Sequence, residues 1–168
     1  MDILLVDGYN IIGAWPELRE MRNNDLAAAR DRLVEKMAEY QGYRGYKVII
    51  VFDAYEVQGL EKKYKNNQVE VIFTKENETA DERIEKLAIA LSDRTTQIHV
   101  ATSDYTEQWA IFGQGALRKS ARELHNEMNI IEKGIEKSVT KIKGNKPMTK
   151  IHLSDEMTEI FEKWRRGE

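Results

Sequence analysis

Four aspartates stand where short apolar runs end or a helical run begins. Asp7 closes "ILLVD", Asp53 closes "VIIVFD", Asp104 follows "HVATS", and Asp81 opens "ADERIEKLAIAL" one residue in. Carboxylates crowded together repel and raise one another's pKa, and a bound divalent cation relieves that conflict. Oxygen donors, in a chain with no cysteine, suit a hard ion such as Mg²⁺ or Mn²⁺ rather than zinc. The chemistry such a centre performs is phosphodiester hydrolysis. One metal activates a water, a second about 3.5–4 Å away stabilises the leaving oxygen, and no protein nucleophile is needed. Each aspartate also has a plain structural reading. Asp104 with Glu107 has capping-box spacing, Asp81 suits the positive end of a helix, and Asp53-Ala54 and Asp7-Gly8 suit turns. Those readings leave the convergence unexplained. The histidines offer no rival centre: His99 lies inside a strand-like run, and His125 and His152 lack ligand spacing.

The elements that must position these residues follow from periodicity. Asp2–Val6, Tyr46–Phe52, Val69–Thr74 and Gln97–Thr102 are short, Val/Ile-rich and bounded by polar residues, which predicts strands. Leu26, Ala29, Leu33, Met37 and Tyr40 repeat with helical spacing after Asn24, the expected N-cap. Ile84, Leu87, Ala88 and Leu91 do so after Thr79, and Trp109, Ala110 and Phe112 mark a shorter helix after Asp104. Leu124, Met128, Ile131, Ile135 and Ile142 predict a long helix that tolerates Gly134, and Met157, Ile160, Phe161 and Trp164 a last one after Ser154. Alternating strands and helices give a three-layer α/β/α domain with a mostly parallel central sheet. Gly144-Asn145-Lys146-Pro147 is the clear break. It divides a domain over 1–146 from a C-terminal helical extension, 147–168, expected to pack on the same domain.

In such sheets ligands bind beyond the carboxyl ends of the strands. Asp7, Asp53 and Asp104 all fall at that edge. Asp81 has Ile84 and Ala88 as its +3 and +7 neighbours, so it projects with the buried face, whereas Glu82 points with Glu85 and Lys86 toward water. Gly8 is expected to leave room beside the Asp7 carboxylate, Asn10 to offer a neutral donor and acceptor among acids, and Tyr9 and Trp15 to pack.

Bulk composition narrows the classes. The chain has 168 residues, 41% hydrophobic and 33% charged, with net charge −3. The absence of cysteine excludes disulfides, zinc-thiolate sites, thiol nucleophiles and a disulfide-linked partner. No basic leader with a long apolar segment opens the chain and no apolar run is long enough to span a bilayer, so a cytoplasmic protein without a membrane partner is expected. Charge is uneven: residues 115–150 hold nine Lys/Arg against four Glu, a basic flank beside an acidic remainder.

Together, "LLVDGYNIIGAW", "VIIVFDAYEV", "FTKENETADERIEKL", "VATSDYTEQ" and "GQGALRKSARELHNEM" resemble the YacP-type NYN family of PIN-like nucleases, from Asp2 to about Met128 and onward through the C-terminal helices. The resemblance implies a PIN-like α/β/α fold and a metal-dependent endoribonuclease. On that likeness Asp7, Asp81 and Asp104 match the acids that hold metal, Asp53 the further acid after the second strand, and Asn10 the signature amide that orders the site or contacts substrate. It also implies an enzyme that cleaves mRNA on translating ribosomes. Candidate RNA contacts are Arg118, Lys119 and Arg122 after Gly115, and Lys63 with Tyr64 in a lysine-rich loop, where phosphate pairing and base stacking would combine. Two other classes compete. A receiver or phosphatase would need an acid after the third strand, which ends in Thr74-Lys75, or a strand-end Asp-x-Asp, which Tyr9 breaks. A non-catalytic RNA- or ribosome-binding module would explain the basic flank and not the acids.

Overall fold

The computed structural model describes residues 1–54, 68–103, 112 and 114–144, the last ten as helical backbone. Its sheet has five parallel strands: β1 (Asp2–Asp7), β2 (Lys47–Phe52), β3 (Glu70–Phe73), β4 (Gln97–Thr102) and β5 (Leu117–Ser120), in the order β3-β2-β1-β4-β5. Helices α1 (Gly8–Ala14), α2 (Pro16–Asn24) and α3 (Leu26–Arg44) lie between β1 and β2, α4 (Ala80–Leu91) between β3 and β4, and α5 (Ala121–Gly144) after β5.

Strand alternation sorts the core into two layers. Leu4, Val6, Val48, Ile50 and Phe52 pack with Ile11, Trp15, Leu33, Met37, Leu124 and Met128 of the α1, α3 and α5 side. Ile3, Leu5, Ile49, Val51, Ile98 and Val100 pack with Ala80, Ile84 and Ala88 of α4 on the other. The three-layer α/β/α architecture is thus as the periodicity predicts. Trp15 ties the helical layer together: it is buried and its Nε1 donates to the carbonyl of Ala121 at 2.8 Å, while its ring lies 5.4 Å from that of His125. Pro16 then starts α2, where its missing N–H costs nothing.

Three local expectations are corrected. The cap of α3 is Asp25, whose Oδ1 accepts from the N–H of Ala28 at 3.2 Å, because Asn24 is still the last residue of α2. Helices α1 and α2 are added to the expected elements; each is short, and its apolar stripe holds only two or three residues, too few to show a period. Strand β5 is added as well: LRKS carries no apolar alternation, and it is held as a charged edge strand through its pairing with β4. The helix expected around Trp109 to Phe112, the one after Ser154 and the extension 147–168 lie outside the described residues, Phe112 excepted. Among the described residues no helix is long and apolar enough to cross a membrane.

Candidate functional site

The chain runs from β1 outward to β3, then crosses through α4 to β4 on the far side of β1. The strand order therefore reverses between β1 and β4, and a crevice at such a point opens beyond the carboxyl ends of the two strands. Asp7 ends β1 there and is only 8% exposed. It stands in register with Val51 of β2, on the α4 face of the sheet, and Asp53 follows Val51 by two residues. Asp53 Oδ1 accepts from the N–H of Ala80 at 2.6 Å, so this carboxylate docks the first turn of α4 onto the end of β2. Thr79 caps the same helix, accepting from the N–H of Glu82 at 3.2 Å. Asp81 thereby sits half-buried in the first turn, with Ile84 and Ala88 buried below it on the sheet side. A cleft of about 230 Å³ opens beside Asp53 and Ala54, walled by Lys75, Asn77 and Thr79.

The residues after Asp7 lock this edge in both directions. Asn10 Oδ1 accepts from the N–H of Ser103 at 2.5 Å and from Thr102 Oγ1 at 3.3 Å, tying α1 to the end of β4. Tyr9 reaches the opposite way. Its ring lies 4.9 Å from that of Phe52 on β2, and its hydroxyl accepts from Arg30 Nη1 at 3.2 Å. Gly8 serves a different end from the one expected. The Phe52 ring fills the space a Cβ would take, with Cζ at 3.1 Å and two ring carbons nearer. The glycine makes room for a core aromatic ring rather than for an ion.

Asp7, Asp53 and Asp81 thus share one edge and one face, and all offer oxygen, which fits a hard divalent cation in donor chemistry. Among the described residues no three acids or histidines already form a ready-made metal cluster. Asp104, the fourth acid, directly follows the Ser103 that Asn10 holds, and it lies outside the described residues, as do Lys63 and Tyr64.

The basic flank is not one grip. Arg118 pairs in register with Val100 and Lys119 with Ala101, and those two partners belong to opposite core layers, so the two cations point to opposite faces. Lys119 Nζ is moreover paired with Glu127. Glu127 also accepts from the Tyr40 hydroxyl at 3.0 Å, and burial followed by that carboxylate pushes the Tyr40 phenol well above its ordinary value. Arg122, next in α5, is exposed. Nearby, Lys36 Nζ lies 2.7 Å from Glu132 and 3.3 Å from Glu17. Burial raises the Glu17 pKa, but Lys36 and Arg32 outweigh it and leave the carboxyl below its ordinary range. Arg30 is a residue that sequence reasoning passes over. It has a signal: Arg30 falls on the apolar stripe, with Leu33, Val34 and Met37 at +3, +4 and +7.

Known proteins resemble this chain. The family model described as the YacP-like NYN domain matches residues 4–166. The protein YacP of Bacillus subtilis (strain 168) is 68% identical over 168 residues, which is all of this chain and 99% of that protein. The crystal structure of Rae1 (YacP) from Bacillus subtilis matches with a TM-score of 0.79 and 69% identity, covering 99% of this chain and 96% of the other. Its W164L mutant matches with the same TM-score over the same shares, at 63% identity.

Proposed function

This chain belongs to the YacP-like NYN domain family, and on that footing we propose that it is an endoribonuclease dependent on Mg²⁺ or Mn²⁺, cutting mRNA on translating ribosomes in the cytoplasm. The observation that carries the reading is the placing of Asp7 at the end of β1, beside the β1–β4 switch point, and of Asp53 at the end of β2, where it docks the first turn of α4 that carries Asp81, along one edge of a sheet of the family's fold. Asp7, Asp81 and Asp104 are the residues that would hold the metal, with Asp53 beside them. When bound, the metal would supply Lewis acidity for phosphodiester hydrolysis and offset the negative charge of the carboxylates that hold it.

The chain's own residues set the geometry. The apolar strand beneath Asp7 is buried throughout, so its carboxylate has a fixed anchor. Asp53 holds the first turn of α4, and with it Asp81, against the sheet. Asn10 is a positioning residue: by holding the Ser103 N–H it fixes the backbone from which Asp104 departs. As an amide it does this without adding a fifth negative charge. Burial around Asp7 also lowers the local dielectric, which strengthens attraction to any cation held there. RNA as substrate and the ribosome as partner rest on the family likeness. C-terminal residues 147–168 belong, on this reading, to an extension of the same domain.

The test is cleavage of RNA, free and on ribosomes, by the wild type and by the double variant Asp7→Asn/Asp81→Asn, with and without EDTA. The wild type cuts in at least one presentation, EDTA stops it, and the double variant does not cut. Equal cutting by the double variant sinks the proposed centre.

A further inference from the structure

Arg30 is 5% exposed, yet among the described residues its guanidinium meets one hydrogen-bond acceptor, the hydroxyl of Tyr9, and its Nε is buried without a partner. No carboxylate pairs with it among the described residues. A guanidinium does not shed its proton to escape burial, and a buried charge is expensive unless it is answered. A cation a turn into α3 that the described residues leave unanswered therefore suits an anion from outside them. Its position says which. Arg30 grips Tyr9, two residues after Asp7, and Tyr9 lies on Phe52, the residue before Asp53. The guanidinium is thus pinned behind the strand ends of β1 and β2, on the helical side of the same sheet edge that carries the acids on its other side.

We propose that Arg30 docks a phosphate of the nucleic-acid strand as the strand crosses this edge, with Tyr9 holding the guanidinium in place. The inference rests on the nuclease reading above. It adds a cation that the acidic edge needs, because a polyanion approaching several carboxylates is repelled unless fixed positive charge meets it. Arginine suits this role because its planar fork matches two phosphate oxygens and it is more weakly hydrated than lysine.

The experiment compares the full-length wild type with Arg30→Met and Arg30→Lys in two arms. In the first, a fluorescent single-stranded RNA oligonucleotide is titrated in EDTA at several salt concentrations. Arg30→Met binds about tenfold more weakly, and its slope of log affinity against log salt is shallower by about 0.7, one single-strand phosphate contact. Arg30→Lys keeps the slope and loses part of the affinity. In the second arm, melting temperature is followed with inorganic phosphate at constant ionic strength. Phosphate raises it for the wild type and leaves Arg30→Met unmoved, while without phosphate Arg30→Met melts no lower than the wild type, since an unanswered buried charge has been removed. A variant that melts lower, and binds RNA with unchanged slope, makes Arg30 a structural residue and overturns the proposal. A phosphate shift that depends on Arg30 beside RNA binding that does not would leave a small-anion site and overturn docking of a strand. Metal-dependent cleavage indifferent to Arg30→Met would keep the nuclease reading and sink this inference alone. A wild type that shows the phosphate shift but neither binds nor cuts RNA, free or on ribosomes, would sink the nuclease reading and strand docking with it.

Discussion

Arg30 and Lys36 lie on the same helix, α3, and both are nearly buried, but their surroundings answer them in opposite ways. Lys36 stands between Glu132 and Glu17, and the ion pair joins α3 to α5 and α2. Among the described residues Arg30 has one phenol hydroxyl. The same contrast holds at larger scale. On the α3–α5 flank, cations that look available in the sequence are already committed: Lys119 to Glu127, Lys36 to Glu132, Arg32 to Glu17. At the carboxyl edge of the sheet, the neutral groups bind one another and the charged ones gather. Charges paired within the flank build structure, and the proposed chemistry falls at the other region, where acids line the strand ends.

The largest effect expected from this contrast is on activity. Asp7→Asn should lower RNA cleavage by at least about a hundredfold, read from the yield of cut ends under the conditions where the wild type cuts. Glu132→Gln, a charge removed from the flank, should leave cleavage within about twofold once folded protein is compared with folded protein, its remote ion pair touching nothing at the edge. Equal losses would erase the distinction between the two regions. Next comes Gly8→Ala, which drives a methyl into the Phe52 ring and should cost about 2–3 kcal/mol in urea unfolding. Phe52→Leu in the same chain should recover part of that loss, a coupling that a mere turn glycine would not show.

How far the sequence reveals this contrast depends on what kind of signal each residue leaves. Asp7, Asp53 and Asp81 are legible because strand ends and helix starts are local patterns, and parallel order puts them on one edge. The hold of Asp53 on α4 through Ala80 is not, since it joins residues far apart in the chain. Arg118, Lys119 and Arg122 look like one phosphate grip because they are close in sequence; the charged strand β5 separates the first two by its period of two. Gly8 shows the same limit. Its smallness is legible, and the ring that requires it belongs to another strand. Arg30 is visible as a polar residue on an apolar stripe, a departure from pattern of the kind that functional sites produce.

Smaller effects sharpen the contrast further. Glu132→Ala should destabilise the fold by about 2 kcal/mol. That is less than the roughly 3–5 typical of breaking a fully buried pair, because Glu132 is partly exposed and Glu17 still reaches Lys36. Chemical denaturation measures it, with an unchanged m-value as the sign that only stability moved. Asn10→Ala removes the acceptor for the Ser103 N–H and Thr102 hydroxyl and should cost about 1 kcal/mol, while lowering cleavage by more than that loss of folded protein explains. If cleavage follows stability alone, Asn10 is only a structural tie and the edge loses one of its special members.

The smallest expected effect is a crossed pair of pH trends within the flank. Glu17 titrates below its ordinary value of 4.5, since Lys36 and Arg32 outweigh the effect of burial. Its contribution to stability is present above that value and is lost as pH falls through the lower folded pKa. Glu39 titrates above 4.5, raised by burial first and by the nearby Glu132 second. Its ionised form is disfavoured in the fold, so stability rises as pH falls through the raised folded pKa, and the gain is complete below 4.5. Glu17→Gln should therefore melt lower than the wild type at neutral pH, with the gap closing in strong acid. Glu39→Gln should melt slightly higher at neutral pH, with the gain vanishing in mild acid. Glu17 is partly exposed and lowered by its ion pairs, so added salt should shrink its difference, and that of Glu39 less, because burial comes first there. Melting curves that stay parallel to the wild type across the acid range would show that these carboxylates feel no net field from Lys36, Arg32 and Glu132. The flank could not then be described as a region where cations and acids have answered each other, and an unanswered Arg30 would have no standard to be measured against.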